Sequence, residues 1–515
     1  MLAEAVASAA HTHGSSTAIS RGNRATTWAE VHLAAERLAG NLAPRIAPGD
    51  VVALCMHSNE LWVIAAVAVN RLGAVIAGIS PVVTPSERRA MIEMVSPSLV
   101  LADRDLIEGI PLRTEVLEVS IEGLNGSSDA APPPMPRRSP GDDFAICFTS
   151  GTTGAPKAAR FTLAAARAVQ RIDSAGAPRS PSGARGPQVI SSTQFAHVGF
   201  VLKLAGHALA GSTIHLMERW SASEVIGLIE AHRVAVLGVV APQLALMLAS
   251  PAMAGADLSS LRLIVAGGAP SPPSLVTQAR EVLGVDYSIR WSSTESGGVG
   301  LAGLVDDAHP EAMGTIGTPR QGVQARVAVD PGTTTGADPA ESAGGPTEAA
   351  IDEVGELQVR SEAMMAGYLG DAAATRDAFS GDGWLRTGDL AYRRADGRFV
   401  LAGRRGDMYI RGGYNVHPTE VEAVLGTHPC VGDVAVVPRD DTAMGQVGVA
   451  VVVPNAGRTP TLEELRSFAG VDLSKHKLPE DVVVIDALPV TRAGKLDRAA
   501  LADRVASPGP TEAAR

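Results

Sequence analysis

The chain has 515 residues, enough for two to four domains and too many for one hydrophobic core. Hydrophobic residues make up 45% and charged residues 19%, ordinary for a folded enzyme, while a net charge of −11 argues against a nucleic-acid binder, which needs a basic face to neutralise phosphates. Three cysteines, Cys55, Cys147 and Cys430, form no metal or redox spacing, which fits a reducing cytoplasm.

Met1 to Ala10 has no basic run and carries Glu4, so it does not read as a signal peptide. Asn70, Arg71, Pro242 and Gln243 interrupt the longest apolar stretches before they reach the roughly 18–20 residues of a membrane span. Thr27 to Leu42 and Leu61 to Leu72 read as helices, with a short strand at Val51 to Leu54. Phe144 to Phe148 reads as a strand leading into a loop, with a helix from about Leu163. Glu224 to His232, Val234 to Val240 and Gln243 to Leu248 give helix, strand, helix. Leu261 to Val265 ends in Gly267-Gly268; a helix at Leu275 to Leu283 and a strand toward Trp291 follow. This alternation predicts α/β units with parallel sheets, whose ligands collect at strand carboxyl ends. Segments 125–142, 173–187 and 331–350 are rich in Pro, Gly, Ser and Ala and read as linkers. After about residue 405, strands near Val431 to Val437 and Val447 to Val453 and helices at Thr419 to Leu425 and Leu462 to Phe468 predict a small α+β domain. The tail from residue 507 is expected to be flexible.

The densest chemical signal is Thr149-Ser150-Gly151-Thr152-Thr153-Gly154-Ala155-Pro156-Lys157. Glycines let backbone N–H groups turn toward a polyanion, hydroxyls add donors, and the lysine adds a mobile positive charge. The guest expected there is a nucleotide's phosphates. Pro156 stands where a Walker A loop requires glycine, so an ordinary P-loop ATPase is disfavoured. Lysine is scarce: of 44 Lys and Arg, only Lys157, Lys203, Lys475, Lys477 and Lys495 are lysine. Four further clusters carry chemistry: Trp291-Ser292-Ser293-Thr294-Glu295, where an aromatic can stack on a base and a carboxylate can hold Mg²⁺; Trp384 to Asp389; Gly403 to Asp407; and Pro489 to Lys495.

Taken in order, these motifs, with Gly355-Glu356-Leu357 and Gly412 to Pro418, resemble the adenylate-forming superfamily. It comprises acyl-CoA synthetases, luciferase-like enzymes and peptide-synthetase adenylation domains. The resemblance runs over nearly the whole chain. It implies a large N-terminal AMP-binding domain (1–403) of stacked, mostly parallel sheets flanked by helices. A hinge (404–406), a small mobile α+β domain (407–506) and a tail (507–515) follow. It implies ATP, Mg²⁺ and coenzyme A, with adenylation of a carboxylic acid followed by thioester formation. By resemblance, Thr149, Ser150, Gly151, Thr152, Thr153, Gly154 and Lys157 cradle the β- and γ-phosphates. Thr294 contacts the α-phosphate. Glu295 binds Mg²⁺, with Thr152 assisting through water. Gly268, Ala269, Trp291 and Ser292 border the adenine. Asp389, helped by Arg404, holds the ribose, and Lys495 bridges the carboxylate and the α-phosphate. Gly412 and Gly413 line a pantetheine tunnel, and rotation of the small domain exchanges Lys495 for the tunnel. Gly406 stands at a pivot where the family has Asp or Lys, Ser292 where it commonly has Gly, and Trp291 where Tyr is commoner.

His197 matches a position near the substrate carboxylate and tunnel. The segment 194–197 lacks the Asp of amino-acid-activating relatives. An acyl wall of Phe195 to Lys203, Val239 to Ala241, Gly297 and Gly298 implies a bulky hydrophobic acid: aryl, alicyclic or medium-chain. The reading is a cytoplasmic acid:CoA ligase, monomeric or homodimeric, with no nucleic-acid partner. An acyl-AMP ligase serving a carrier protein's phosphopantetheine is the alternative. A luciferase-like oxygenase and a non-catalytic binding protein are less favoured rivals.

Overall fold

A computed structural model describes the chain except residues 121–130, 150–155, 176–185, 192–193, 218, 270, 330–346, 406, 412–413, 443, 456–457, 492–495 and 507–515. Three of its sheets position the chemistry. The first has seven strands in the order Gly367–Tyr368, Lys157–Thr162, Asp143–Thr149, Val75–Gly78, Val51–Cys55, Leu99–Ala102, Val116–Glu118. Its five strands from Asp143–Thr149 to Val116–Glu118 run parallel, and the near-continuous burial of Val75–Gly78, Val51–Cys55 and Leu99–Ala102 is what parallel strands covered on both faces require. The second has the order Val236–Val239, Leu263–Gly267, Asp286–Trp291, Leu301–Val305, Thr318–Pro319; its first three strands are parallel. Helices Ala222–His232, Ala241–Leu248 and Pro273–Leu283 pack one face of this sheet in their own core around Ile229, Leu244, Ile264 and Tyr287.

An antiparallel sheet, Thr347–Glu348, Val323–Val329, Gly355–Ser361, Leu385–Arg393, Phe399–Arg404, carries the site's third wall. A four-stranded sheet near the N-terminus completes the large region. Beyond it, Tyr409–Arg411, Tyr414–Val416, Val431–Asp441, Gly445–Pro454 and Asp481–Val484 form one sheet with its own core around Val421, Val436, Val452 and Leu465. Helix Pro418–Leu425 joins the two regions: Thr419 Oγ1 donates to Ala402 O at 2.7 Å.

Helix limits follow their caps. Thr27 caps Trp28–Leu42 through a reciprocal bond with Glu30, Asn59 caps Glu60–Arg71, and Thr461 with Glu464 caps Leu462–Ala469. The expected strand–loop–helix at the glycine-rich motif is different. Asp143–Thr149 is answered by an antiparallel strand, Lys157–Thr162, before helix Leu163–Ser174 begins. The strands on either side of the motif thus pair antiparallel, and Thr149 and Lys157 face each other in register. Within Lys157–Thr162 the buried Ala159 and Phe161 and the part-exposed Arg160 and Thr162 keep a strand's two-residue period.

All three cysteines are free and buried, and burial pushes the Cys147 thiol up to about 12, which suits a core residue. Residues 125–130, 176–185 and 331–346 of the linker-like segments lie outside the described residues; Asp173 belongs to the helix Leu163–Ser174. Among the described residues no helix is long and apolar enough to cross a membrane.

Candidate active site

Five side chains from five segments meet near Lys157. Asp389 lies in the strand Leu385–Arg393, opposite Arg404 across the ladder, and Arg404 Nε donates to Asp389 Oδ1 at 2.6 Å. Trp291, the last residue of Asp286–Trp291, donates its indole Nε1–H to Asp389 Oδ2 at 2.8 Å. Each carboxylate oxygen therefore spends one acceptor site on protein and keeps another for a ligand hydroxyl. Burial is the largest single influence on the Arg404 pKa and lowers it, but the Asp389 charge and hydrogen bond, with the charges of Asp407 and Glu295, together outweigh it, and the net shift is upward. The side chain of Asp389 is only 13% exposed.

The turn after Trp291 is built by its own hydroxyls. Ser293 N donates to Ser296 Oγ and Ser296 N to Ser293 Oγ, at 3.0 and 3.1 Å. Gly297 then takes φ +76°, and a Cβ there would stand 2.3 Å from Ala363 O. The constrained turn leaves Ser292 exposed and holds Glu295 against Tyr368, whose hydroxyl donates to Glu295 Oε1 at 2.9 Å. Burial, then the Glu295 charge, raises the Tyr368 pKa, so it remains a donor through neutral pH. Among the described residues none bonds Glu295 Oε2. A hard carboxylate oxygen left available, with its partner oxygen fixed, fits a Mg²⁺ ligand. Lys157 Nζ lies 5.1 Å from the Tyr368 ring centre, which brings the end of the phosphate motif to the same place.

Gly268 and Ala269, just past the strand Leu263–Gly267, are exposed and part-exposed; Gly268 has φ +79°. Ser150, Gly151, Thr152, Thr153, Gly154, Gly406, Gly412, Gly413 and Lys495 lie outside the described residues. Val490 and Leu496, which flank Lys495, pair as an antiparallel bridge.

Two expectations change. Trp291 is 6% exposed, and its ring packs so tightly on Gly300 that a Cβ there would come within 2.8 Å of Cε3. Most of the ring is core, and its polar edge serves Asp389. The apolar wall is also recast. Phe195 and Phe200 stack on each other at 3.6 Å with Trp62 at their edges, and Val239 joins the helix-covered core. Along 195–203 the residues left open are His197, Gly199 and Lys203, and Gly298 sits against this segment, its notional Cβ 3.4 Å from Val198 Cγ1. His197 precedes the short helix Val198–Val201 as its N-cap residue.

Sequence reasoning missed two groups. Tyr368 is one; its only signal was a Gly-Tyr-Leu-Gly run at 367–370. Glu356 is the other as a functional residue. It accepts from Arg386 Nε at 3.0 Å and Gly388 N at 3.3 Å, and so shapes the loop that presents Asp389.

Residues 6–369 match the AMP-binding enzyme family and residues 420–495 match the AMP-binding enzyme C-terminal domain. The indoleacetate–CoA ligase of Aromatoleum aromaticum is 30% identical over 498 residues, covering 93% of each chain. The 2-succinylbenzoate–CoA ligase of Bacillus licheniformis is 30% identical over 491 residues, covering 93% of this chain and 95% of that one. Among solved structures, the amide bond synthetase of Marinactinospora thermotolerans superposes with a TM-score of 0.82 at 27% identity, covering 98% of this chain and 100% of the other.

Proposed function

The chain belongs to the AMP-binding enzyme family, in the CoA-ligase branch of the adenylate-forming superfamily, and on that premise we propose that it is an ATP-dependent carboxylic acid:CoA ligase for a bulky hydrophobic acid. The observation that carries this is the Asp389 carboxylate, gripped by Trp291 and Arg404 beside Glu295 and the phosphate motif. That arrangement suits a ribose with its triphosphate running toward Lys157.

In the first half-reaction a carboxylate oxygen of the acid attacks the α-phosphorus. The bond to the bridging oxygen breaks and pyrophosphate leaves. Two anions must meet, so the work is charge neutralisation and alignment. Lys157 with the hydroxyls and amides of residues 149–154 takes the β- and γ-phosphates, and Thr294 takes the α-phosphate. Asp389 and Arg404 fix the ribose; Gly268, Ala269, Ser292 and the edge of Trp291 border the base. Glu295, with Thr152 through water, would hold Mg²⁺, which when bound neutralises phosphate charge. Lys495 follows the negative charge from carboxylate to α-phosphate.

In the second half-reaction the CoA thiol attacks the acyl carbonyl, the C–O bond to AMP breaks and AMP leaves. His197 borders this carbonyl, and Gly412 and Gly413 leave room for pantetheine. A swing of residues 407–506 about 404–406 exchanges Lys495 for the tunnel. A cytoplasmic setting accords with three free, buried thiols.

A pyrophosphate-release screen over carboxylic acids, with AMP release measured against CoA and against a phosphopantetheinylated carrier protein, tests the activity and its acceptor. Lys495→Ala should abolish pyrophosphate release yet spare thioester formation from supplied acyl-adenylate. Equal loss of both contradicts the role given to Lys495.

A further inference from the structure

One face of the second sheet carries charge that the ligase reading does not use. Along Asp286–Trp291, Tyr287 and Ile289 enter the helix-covered core, so alternation sends Ser288 and Arg290 to the opposite face. On that face the neighbouring strands present Leu263, Val265 and Gly267, all part-exposed, and the exposed Val236 and Gly238. Arg290 stands in register with Gly267, beside the Gly268 and Ala269 assigned to the nucleotide.

Two cations pair with one carboxylate here, and a third lies within reach of their charge. Asp173 pairs with Lys203 Nζ at 3.0 Å and with Arg320 Nη1 at 2.7 Å, and its field and that of Arg320 both reach Arg290. Lys203 closes the segment that begins at His197. Arg320 N donates to Gly300 O at 3.1 Å, so it stands at the end of the glycine turn. The cluster therefore lies where segment 197–203, turn 297–300 and the open sheet face converge. His207 adds nothing to the charge: burial, then Lys203, pushes its pKa down to about 4, leaving it neutral. Asp173 is fully engaged by Lys203 and Arg320. Among the described residues Arg290 has no ion pair, and its buried Nε has no hydrogen-bond partner. A guanidinium held this way is costly unless an anion arrives, and its planar fork matches a carboxylate.

We propose that the acid activated here carries a second anionic group, a distal carboxylate, that docks on Arg290 at the far end of the acyl chamber. Lys203 and Arg320 supply the surrounding positive field. The apolar body of the acid lies along Gly199, Gly298, Gly238 and Val265. This rests on the ligase reading and narrows its substrate to a dicarboxylic acid with a hydrophobic middle.

The test uses matched triplets of aryl and aliphatic acids: the monocarboxylic acid, the corresponding dicarboxylic acid and its half methyl ester. Pyrophosphate release is followed with the full-length chain and with Arg290→Gln, Arg290→Lys serving as the conservative control. The expected result is a kcat/KM for the best diacid about tenfold or more above its monoacid and half ester. Arg290→Gln should erase that preference while leaving the best monoacid within about twofold, and Arg290→Lys should keep part of it. A native chain that prefers monoacids throughout, or a loss in Arg290→Gln that falls equally on monoacid and diacid, overturns the distal-anion site alone. Absence of pyrophosphate release from every triplet overturns the ligase reading together with it.

Discussion

Trp291→Phe separates two uses of one aromatic residue. The substitution keeps an aromatic ring against Gly300 and removes the indole N–H that lies 2.8 Å from Asp389 Oδ2. Arg404 still holds Oδ1 at 2.6 Å, so the carboxylate keeps one anchor but becomes free to turn about that single contact. A hydrogen bond to a charged acceptor contributes about 1.5–3 kcal/mol, and Asp389 is shielded enough for the full range to apply. If that constraint is what aligns Asp389 with the ribose, kcat/KM for ATP falls by about 10- to 150-fold. The assay is ATP–pyrophosphate exchange at saturating acid, run in parallel with 2′,3′-dideoxy-ATP. The dideoxy substrate already lacks the hydroxyls, so Trp291→Phe should change its kcat/KM by no more than about twofold. Equal losses on both nucleotides would sever the link to the ribose and return Trp291 to direct contact with the base. No loss on ATP would show that Arg404 alone orients the carboxylate.

Tyr368→Phe deletes the hydroxyl donated to Glu295 and should raise the Mg²⁺ concentration needed for half-maximal pyrophosphate exchange by about tenfold; an unchanged Mg²⁺ dependence contradicts the link. Gly297→Ala places a methyl group 2.3 Å from Ala363 O at φ +76°, a loss of about 1–3 kcal/mol, so in a chain of this size the melting temperature should fall by about one to three degrees; a melting curve that overlays the native one would show that the turn relaxes without cost. His215 is buried, bonded through Nε2 to Gln188 at 2.9 Å, and burial followed by neighbouring His232 pushes its pKa from 6.5 down to about 4. The unfolded chain then binds the proton more readily, so His215 contributes its full stability above pH 6.5. That contribution is lost as pH falls from 6.5 to about 4, at up to about 1.4 kcal/mol per pH unit. His215→Gln should flatten the denaturation midpoint across that window, and an identical slope in both proteins would contradict the sign.

Much of the architecture was legible because each cue had one physical meaning. The helix read over Thr27 to Leu42 is Trp28–Leu42 with Thr27 as its cap, and the β-branched run Val431 to Val437 lies within the longer strand Val431–Asp441. The return strand Lys157–Thr162 was not legible, since two alanines and an arginine have little strand preference and only antiparallel pairing with Asp143–Thr149 holds them extended. At the site, single-residue chemistry was readable: Glu295 and Asp389 are carboxylates beside glycine or hydroxyl turns, and they do meet the same cluster. Relations across the sequence were not. Nothing local says that Trp291 turns its N–H toward a residue 98 positions away, or that Phe195 and Phe200 stack inward and leave Gly199 open. Arg290 reads in the sequence as a lone charge in a strand. Its significance depends on Asp173, Lys203 and Arg320 arriving from three other segments.

Everything proposed for the site requires that the acid's own oxygen become bonded to the α-phosphorus of ATP before a thiol displaces it. An acid labelled with ¹⁸O in both carboxylate oxygens, turned over completely with ATP and CoA, should leave a single labelled oxygen in AMP. The pyrophosphate should carry none. Label in inorganic phosphate with ADP as the co-product, or AMP free of label, would contradict passage through an acyl-adenylate.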